Sequence, residues 1–509
     1  MIQDPDSHNL NLPISEDEVK GALWSMKAFK APGPDGLHAD FIQHFWHTVG
    51  NSLIEEVRKC FTEKNIPEYL NRTLMVLIPK IHGPESLGNY HQTSLCNTAY
   101  KVITKIISNR IRPVLGSIIS HLQTAFVLGR RGTDNAIIVQ ELIHTIGKAK
   151  GKEGCMAIKI DLEKAYDKLE WDFIRERLIC ANFPMDLIQT IMCCVTTATT
   201  SILFNGGTLD PLVPTRGIRQ GEPLSPYLFI LCIDFLGQLI EGKCAEKAWD
   251  LVKSSKSGPY FSHLFFVDDL MLFAKANSKN CFAIRSVLDI FCSKSGETIS
   301  EAKSKVFFSP NVDSDMRDSL CEILGFRSTN SLGKYLGIPT RHQGSSPHDF
   351  SLILDRMKQK LAGWKSNLLS MAGRALLIQS SISTIPAYVM QCVSLLSKIH
   401  NRIDRISQNF LWGSTESVKK MYWVGWSKIT KPKKEGSLRF QTAKGRNTAL
   451  LAKLNWRFNS EKDSLWTQVL RKKYYTFQRL NSNNIHKLPC SQVWKGMKVG
   501  LDTFQREVR

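Results

Sequence analysis

The amino-acid sequence predicts an α+β protein, and three observations carry that expectation. Residues 73–78 (TLMVLI) form a β-rich apolar run that closes at Pro79. Residues 264–273 (LFFVDDLMLF) read as two strand-like runs facing each other across a pair of aspartates. Between residues 156 and 273 short strands mix with helical stretches, without the regular alternation of a βαβ fold. At 509 residues the chain has room for two to four domains, and 43% apolar with 9% aromatic residues can fill a sizeable core. Disorder, collagen and disulfide scaffolds are excluded on composition. The 13 cysteines are scattered with no CxxC pair, so neither an oxidised framework nor a structural zinc site has usable spacing. A reducing, intracellular compartment fits. No charged-then-apolar leader opens the chain, and the longest apolar run, residues 227–233, is far short of the ~20 that a membrane helix needs. The chain is therefore read as soluble, with no membrane partner.

In chain order, residues 1–13 are polar and loose. Ser15 followed by Glu16, Asp17 and Glu18 marks a helix start with acids in its first turn, expected to run to about Ala28. Residues 31–36 (APGPDG) break both helix and strand and form a rigid turn. The strand at 73–78 ends at Pro79-Lys80, where an exposed lysine suits anion contact. Residues 100–115 have a helical pattern that should stop near Pro113. The apolar run 155–160 (CMAIKI) reads as a strand with Asp161 at its end, and residues 163–171 then look helical. Residues 217–226 (GIRQGEPLSP) should be a loop entering a buried helix; Gly221 permits close backbone approach and Gln220 offers a donor and an acceptor. Alone, that loop could be an ordinary turn. From Phe350 the positions Leu354, Met357, Leu361, Trp364 and Leu368 recur at helical steps, with Arg356, Lys358, Lys360 and Lys365 on other faces.

Charge is unevenly spread. The formal charge is +21, and residues 416–509 hold +15 of it, together with Trp423, Trp426, Trp456, Trp466 and Trp494. Lys431, Lys433, Lys434, Arg471, Lys472 and Lys473 lie among these rings. Cations bind phosphates and aromatic faces stack unpaired bases, so the segment is expected to bind nucleic acid. The plain alternative is a small tryptophan core coated with solvated lysines. Removing residues 416–509 is expected to weaken RNA affinity and flatten its salt dependence.

The aspartates carry the chemistry. Two adjacent carboxylates against apolar walls cost several kcal/mol in repulsion and desolvation unless a proton or cation neutralises them. An Asp pair is also common in exposed turns. Asp161, where a strand meets a helix, can converge with Asp268 and Asp269 on one patch of a sheet. Three oxygen ligands without His or Cys favour a hard ion such as Mg²⁺, and two such ions suit in-line phosphoryl displacement. The chemistry implied is nucleotidyl transfer or its hydrolytic relative.

In this order the motifs resemble the reverse transcriptases of LINE-type (non-LTR) retrotransposons, closest to the plant elements. They are LIPK (77–80), SLCN (94–97), QTAFVLGR (123–130), DLEKAYDKLEW (161–171), GIRQGEPLSP, FVDD, YLGIP (335–339), GWKSNLLSMAGR (363–374) and WVGWSKITKPKKEGSLRF (423–440). The resemblance implies a right-hand polymerase with fingers at 14–150, palm at 151–332, a helical thumb at 333–413 and a basic C-terminal segment at 414–509. It implies an RNA-directed DNA polymerase acting on template RNA, primer DNA and dNTPs. Asp161, Asp268 and Asp269 match the metal-binding aspartates, expected to hold two Mg²⁺ ions, with Mn²⁺ able to substitute. Tyr166 matches the side chain that crowds a ribose 2′-hydroxyl. Gln220 and Gly221 match the loop beside the incoming nucleotide, and Lys80 and Lys303 match lysines near it. Tyr335, Leu336 and Gly337 match the turn that holds the primer end.

The sequence also departs from that pattern. His91-Gln92-Thr93-Ser94 replaces the usual RPIS, so an imidazole stands where a permanently charged guanidinium is expected, which predicts weak dNTP binding. Glu222 stands where Asp is usual and Val267 where Ala is usual, both mild changes. Residues 296–300 (GETIS) replace a more apolar stretch ending in Asn. The resemblance further implies a fragment or decayed copy of an element, with endonuclease function supplied from elsewhere, acting in nucleus and cytoplasm as a ribonucleoprotein. A catalytically weak RNA-binding remnant is the alternative.

Overall fold

The computed structural model describes residues 2–340, 346–362, 368–414, 418–431, 433–438, 440–475 and 490–507. Two sheets organise it. The larger has five strands in the order Arg327–Ser328, Lys305–Phe308, Cys155–Ile160, Asp269–Lys275 and His263–Phe266. Its centre, Cys155–Ile160, runs antiparallel to both neighbours. Because side chains alternate along a strand, Met156, Ile158, Ile160, Leu270, Leu272 and Val306 enter one core while Ala157, Leu264, Met271, Phe273 and Phe307 enter another. Helices cover both faces, which is why these strands read as unbroken apolar runs. Ser225–Ala245 and Ser278–Ser295 supply the first core. Gly132–Ile146 supplies the second, together with Ala443–Ser460, Leu465–Leu470 and Gln492–Glu507. The chain's most basic segment thus packs on the same core as the central sheet.

The smaller sheet has the order Tyr90–Cys96, Arg72–Pro79, Thr199–Phe204 and Gly207–Thr208. Strand Arg72–Pro79 is the expected run at 73–78, and it lies antiparallel to Tyr90–Cys96 with Ile78 opposite His91.

Local expectations fare unevenly. Ser15 caps helix Glu16–Trp24 with a capping box to Glu18, yet the helix ends at Trp24, short of Ala28. Met26 packs against the core from the turn that follows, and the glycine- and proline-rich segment beyond cannot extend the helix. Helix Thr98–Ile118 does not stop at Pro113 but runs through it. A proline inside a helix costs about 3 kcal/mol, and burial of Val114 and Leu115 directly after it, at ~1.5–3 kcal/mol each, offsets it. The amphipathic helix forms as Ser351–Leu361 and buries Ile353, Leu354 and Met357. Leu368 instead is exposed, and Trp364 and Lys365 lie outside the described residues. The 13 cysteines are free thiols, and among the described residues no helix is long and apolar enough to cross a membrane.

Candidate active site

Register brings the three aspartates together. Ile160 pairs with Leu270, so the next step along both strands sets Asp161 opposite Asp269. Phe266 pairs with Asp269 across the adjoining hairpin, leaving Val267 and Asp268 as its two-residue turn. Asp161 is pinned at the strand end, its N–H donating to Ser304 Oγ (3.2 Å) and its carbonyl accepting from Ser300 N–H (2.8 Å). Val267 holds φ at +54°, a left-handed conformation costing a β-branched residue ~1–2 kcal/mol. Strain of this kind persists where the surroundings over-determine the backbone, here at the hairpin tip between two strands.

The charges are crowded. Burial pushes the Asp268 carboxyl above the usual carboxylate range, and the charges of Asp269 and Asp161 push it further. Lys303 Nζ stands 3.6 Å from Asp161 Oδ1, and Lys159 Nζ stands 3.6 Å from Asp269 Oδ1 while donating to the Lys334 carbonyl at 2.8 Å. These partly exposed pairs are worth ~0–1 kcal/mol each, so a divalent cation can displace them. Among the described residues no three His, Cys, Asp or Glu side chains close into a ready metal cage. Uncompensated charge on hard oxygen donors nevertheless fits an ion that takes only one or two carboxylates and completes its shell from water and phosphate.

Asp161 and Asp268 open onto a cleft of about 830 Å³ that Lys80, Tyr166, Gln220, Gly221 and Lys303 also line. Lys80 follows the strand Arg72–Pro79, its N–H donating to the Asn89 carbonyl (2.8 Å) and closing the loop between the two strands. His91 lines the same cleft from the neighbouring strand. Tyr166 sits on the one-turn helix Ala165–Lys168, its ring stacked on Phe229 at 4.7 Å and 11°. Burial raises its phenol, and the Asp268 charge adds to the effect. The loop 217–222 is sewn to strand Tyr90–Cys96: the Gln220 carbonyl accepts from Ser94 N–H at 2.8 Å. Gly221 has φ +105°, and a Cβ there would meet the Ser94 carbonyl oxygen at 3.1 Å. The close approach expected of this glycine is thus made by Ser94. Asp167, Lys164 and Lys168 line the cleft as well, and sequence reasoning passed over them. Their signal was the density of charge in DLEKAYDKLEW.

Tyr335, Leu336 and Gly337 form a hairpin turn in which Tyr335 pairs with Ile338, with Leu336 at φ +48° and Gly337 at +75°, as a two-residue turn of this hand requires. The Tyr335 ring is 1% exposed and belongs to the second core. The Tyr335 side chain, expected to meet a primer, is instead drawn inward by its apolar area, and Gly337 is the exposed residue of the turn. The turn is still near the carboxylates, since Asp269 adds to the upward push that burial gives the Tyr335 phenol.

The C-terminal cations divide. Lys434 is exposed, and Lys431 pairs with Glu435 at 3.0 Å. The Lys433 side chain lies outside the described residues. Lys472 is exposed. Arg471 turns inward, its guanidinium 4.5 Å from the Phe458 ring and donating to the Phe458 carbonyl at 2.6 Å. Lys473 is half-buried against the fully buried Glu141, whose Oε2 it meets at 2.9 Å. Arg471 and Lys473, expected as nucleic-acid contacts, thus make internal contacts. Adjacent cations in a sequence do not reveal which of them faces a buried acid; the lone Glu141 in AIIVQELIH was the available signal. Trp466 and Trp494 are core residues and Trp426 stacks on Phe440 at 5.6 Å, whereas Trp423 and Trp456 are exposed.

The family described as reverse transcriptase (RNA-dependent DNA polymerase) matches residues 78–340, more than half of the chain and inclusive of the carboxylates, the cleft lysines and the Tyr335 turn. An uncharacterized 149 kDa protein of transposon TX1 from Xenopus laevis is 26% identical over 439 residues, 86% of this chain and 32% of its own length. The Pol polyprotein of retrotransposable element R2 from Nasonia vitripennis is 28% identical over 277 residues, covering 52% of this chain and 24% of its own. The chain thus spans about a third or less of the length of these relatives. Among solved structures, apo telomerase from Candida tropicalis superposes with a TM-score of 0.39 at 14% identity, covering 58% of this chain and 59% of that one.

Proposed function

The chain belongs to the reverse transcriptase (RNA-dependent DNA polymerase) family, of the kind carried by non-LTR retrotransposons, and from that premise we propose that it extends a primer 3′-hydroxyl with dNTPs on an RNA template. The observation that carries the reading is the convergence, by strand register, of Asp161, Asp268 and Asp269, the first two of them lining a cleft whose other walls hold Lys80, Tyr166, Gln220 and Gly221.

In this reading the three aspartates would hold two Mg²⁺ ions, or Mn²⁺ in their place, and such ions would supply charge stabilisation to an in-line phosphoryl displacement. The primer oxygen attacks the α-phosphorus of the dNTP and pyrophosphate leaves. Lys80 and Lys303 meet the triphosphate charge. Tyr166, fixed flat on Phe229, occupies the volume that a ribose 2′-hydroxyl would need. Gln220 and Gly221 lie along the nucleotide, and the backbone of Leu336 and the exposed Gly337 supports the primer end. The five-stranded sheet is then the palm of a right-hand polymerase.

Extension of an oligo(dT) primer on poly(rA) in Mg²⁺ or Mn²⁺ tests the proposal. Divalent-dependent extension supports it; RNA binding without extension would overturn it in favour of an RNA-binding remnant.

A further inference from the structure

Resting on that reading, we infer that Arg219 is a positioning residue: a buried guanidinium behind the loop 217–222 that sets how far Gln220 and Gly221 reach into the nucleotide cleft. The loop has two sides. Gly221 lines the carboxylate cleft, Arg219 and Glu222 line an adjoining cavity of about 410 Å³, and Gln220 lines both. Arg219, its side chain only 10% exposed, spends its donors on four separate parts of the chain. Its Nε donates to Glu222 Oε2 at 2.8 Å. Its Nη1 donates to Asn71 Oδ1 at 2.7 Å and Thr73 Oγ1 at 3.0 Å, at the start of strand Arg72–Pro79. Its Nη2 donates to the Cys194 carbonyl at 2.9 Å, on helix Met185–Thr196, and to the Tyr100 hydroxyl on helix Thr98–Ile118. Tyr100 in turn donates to Glu222 Oε1 at 2.9 Å.

A buried ion pair is weak support for stability, since apolar residues of equal volume often serve as well. What five fixed acceptors around a planar fork do specify is geometry. The start of the loop is fixed by Gly217 N–H to the Leu169 carbonyl and Ile218 N–H to the Tyr166 carbonyl, so the reach of Gln220 and Gly221 is left to two tethers: Arg219 behind them and the bond from Ser94 N–H to the Gln220 carbonyl at the side. With the rear tether loosened, Gln220 and Gly221 would shift against Ser94 while the carboxylates, on the other sheet, stay where they are. Glu222 also becomes more than a mild replacement for Asp: its carboxylate spans from Arg219 to Tyr100, a reach that the shorter side chain would not match.

The test compares Arg219→Lys and Glu222→Gln with the native chain by steady-state primer extension, alongside primer–template binding and thermal melting. The inference expects the dNTP KM to rise about 10- to 100-fold, the scale of an ångström-sized misplacement, with primer–template affinity within about twofold of native. A merely structural residue would lower Tm and the active fraction, hence the apparent kcat, and leave the KM of the folded molecules unchanged. That result in both variants would overturn the inference. Should Arg219→Lys fail to fold, Glu222→Gln, which keeps the guanidinium and a hydrogen-bonding amide, decides alone. An inactive native chain would overturn the polymerase reading itself, whereas active enzyme with native KM in the variants overturns only the role of Arg219.

Discussion

Lys473→Met separates two roles for the basic C-terminal segment. Glu141 is fully buried, and its carboxylate accepts from Tyr474 OH (2.9 Å), Ser491 Oγ and Lys473 Nζ (2.9 Å). Methionine keeps most of the aliphatic bulk and removes the only cation of the three donors, leaving an uncompensated buried charge. Breaking one side of such a pair costs about 3–5 kcal/mol. At about 2–4 °C per kcal/mol for a folding unit of 150–250 residues, Tm should fall by roughly 6–20 °C. The double variant Glu141→Gln, Lys473→Met should recover most of the loss, because the amide still bonds to the two hydroxyls and no charge is stranded. Differential scanning fluorimetry supplies the Tm, and RNA binding across a salt series supplies the charge count. Were Lys473 a phosphate contact, the single variant would melt like the native chain and the slope of log K against log salt would drop by about 0.7; that pair of results refutes the assignment. The same packing changes the meaning of removing residues 416–509. Deletion strips Leu454, Phe458 and Trp494 from the second core, so the expected outcome is insoluble or unfolded protein rather than a folded polymerase with weaker RNA affinity.

Other outcomes follow from the cleft. Tyr166→Ala should raise rNTP relative to dNTP incorporation by roughly 10- to 200-fold, the scale of a single pocket contact, and an unchanged ratio in competition assays would exclude Tyr166 as the gate. His91→Arg should lower the dNTP KM about tenfold, one charge-assisted bond's worth; an unmoved KM would show that this position does not meet phosphate. Glu297 is 1% exposed with no hydrogen-bond partner on either oxygen among the described residues, and burial, with Asp167 and Asp268 adding and Lys168 opposing, pushes it up to about 8 from its ordinary 4.5. Below its ordinary value both folded and unfolded chains hold the proton and there is no penalty. As pH rises toward 8 the unfolded chain gives up the proton first, so stability is lost across that window. Glu297→Gln should therefore raise stability by on the order of a few kcal/mol at pH 8.5 and leave it unchanged near pH 4, which paired urea melts would reveal.

Strand chemistry was legible because both faces of the central sheet are covered: runs such as CMAIKI and LFF/LMLF had no other place to go than a buried sheet. The acids at their ends were legible because carboxylates beside such runs demand a reason. Convergence of Asp161 on Asp269 was not, since it depends on which residues pair across two strands more than 100 residues apart, and register is a tertiary fact. The same holds for Lys473 and Arg219, whose partners Glu141 and Asn71 are distant in the chain. Pro113 and Tyr335 show the converse: local rules placed a helix end and a surface contact where core burial overrode them.

The most direct test is primer extension by the native chain beside a folded Asp268→Asn, Asp269→Asn double variant, which keeps the shape of the hairpin and removes two of the three negative charges. The account predicts extension that depends on Mg²⁺ or Mn²⁺ in the native chain and none in the variant, with equal RNA binding by both. Equal extension by the two would contradict it, because the carboxylates that register gathers at the cleft would then have no part in the chemistry.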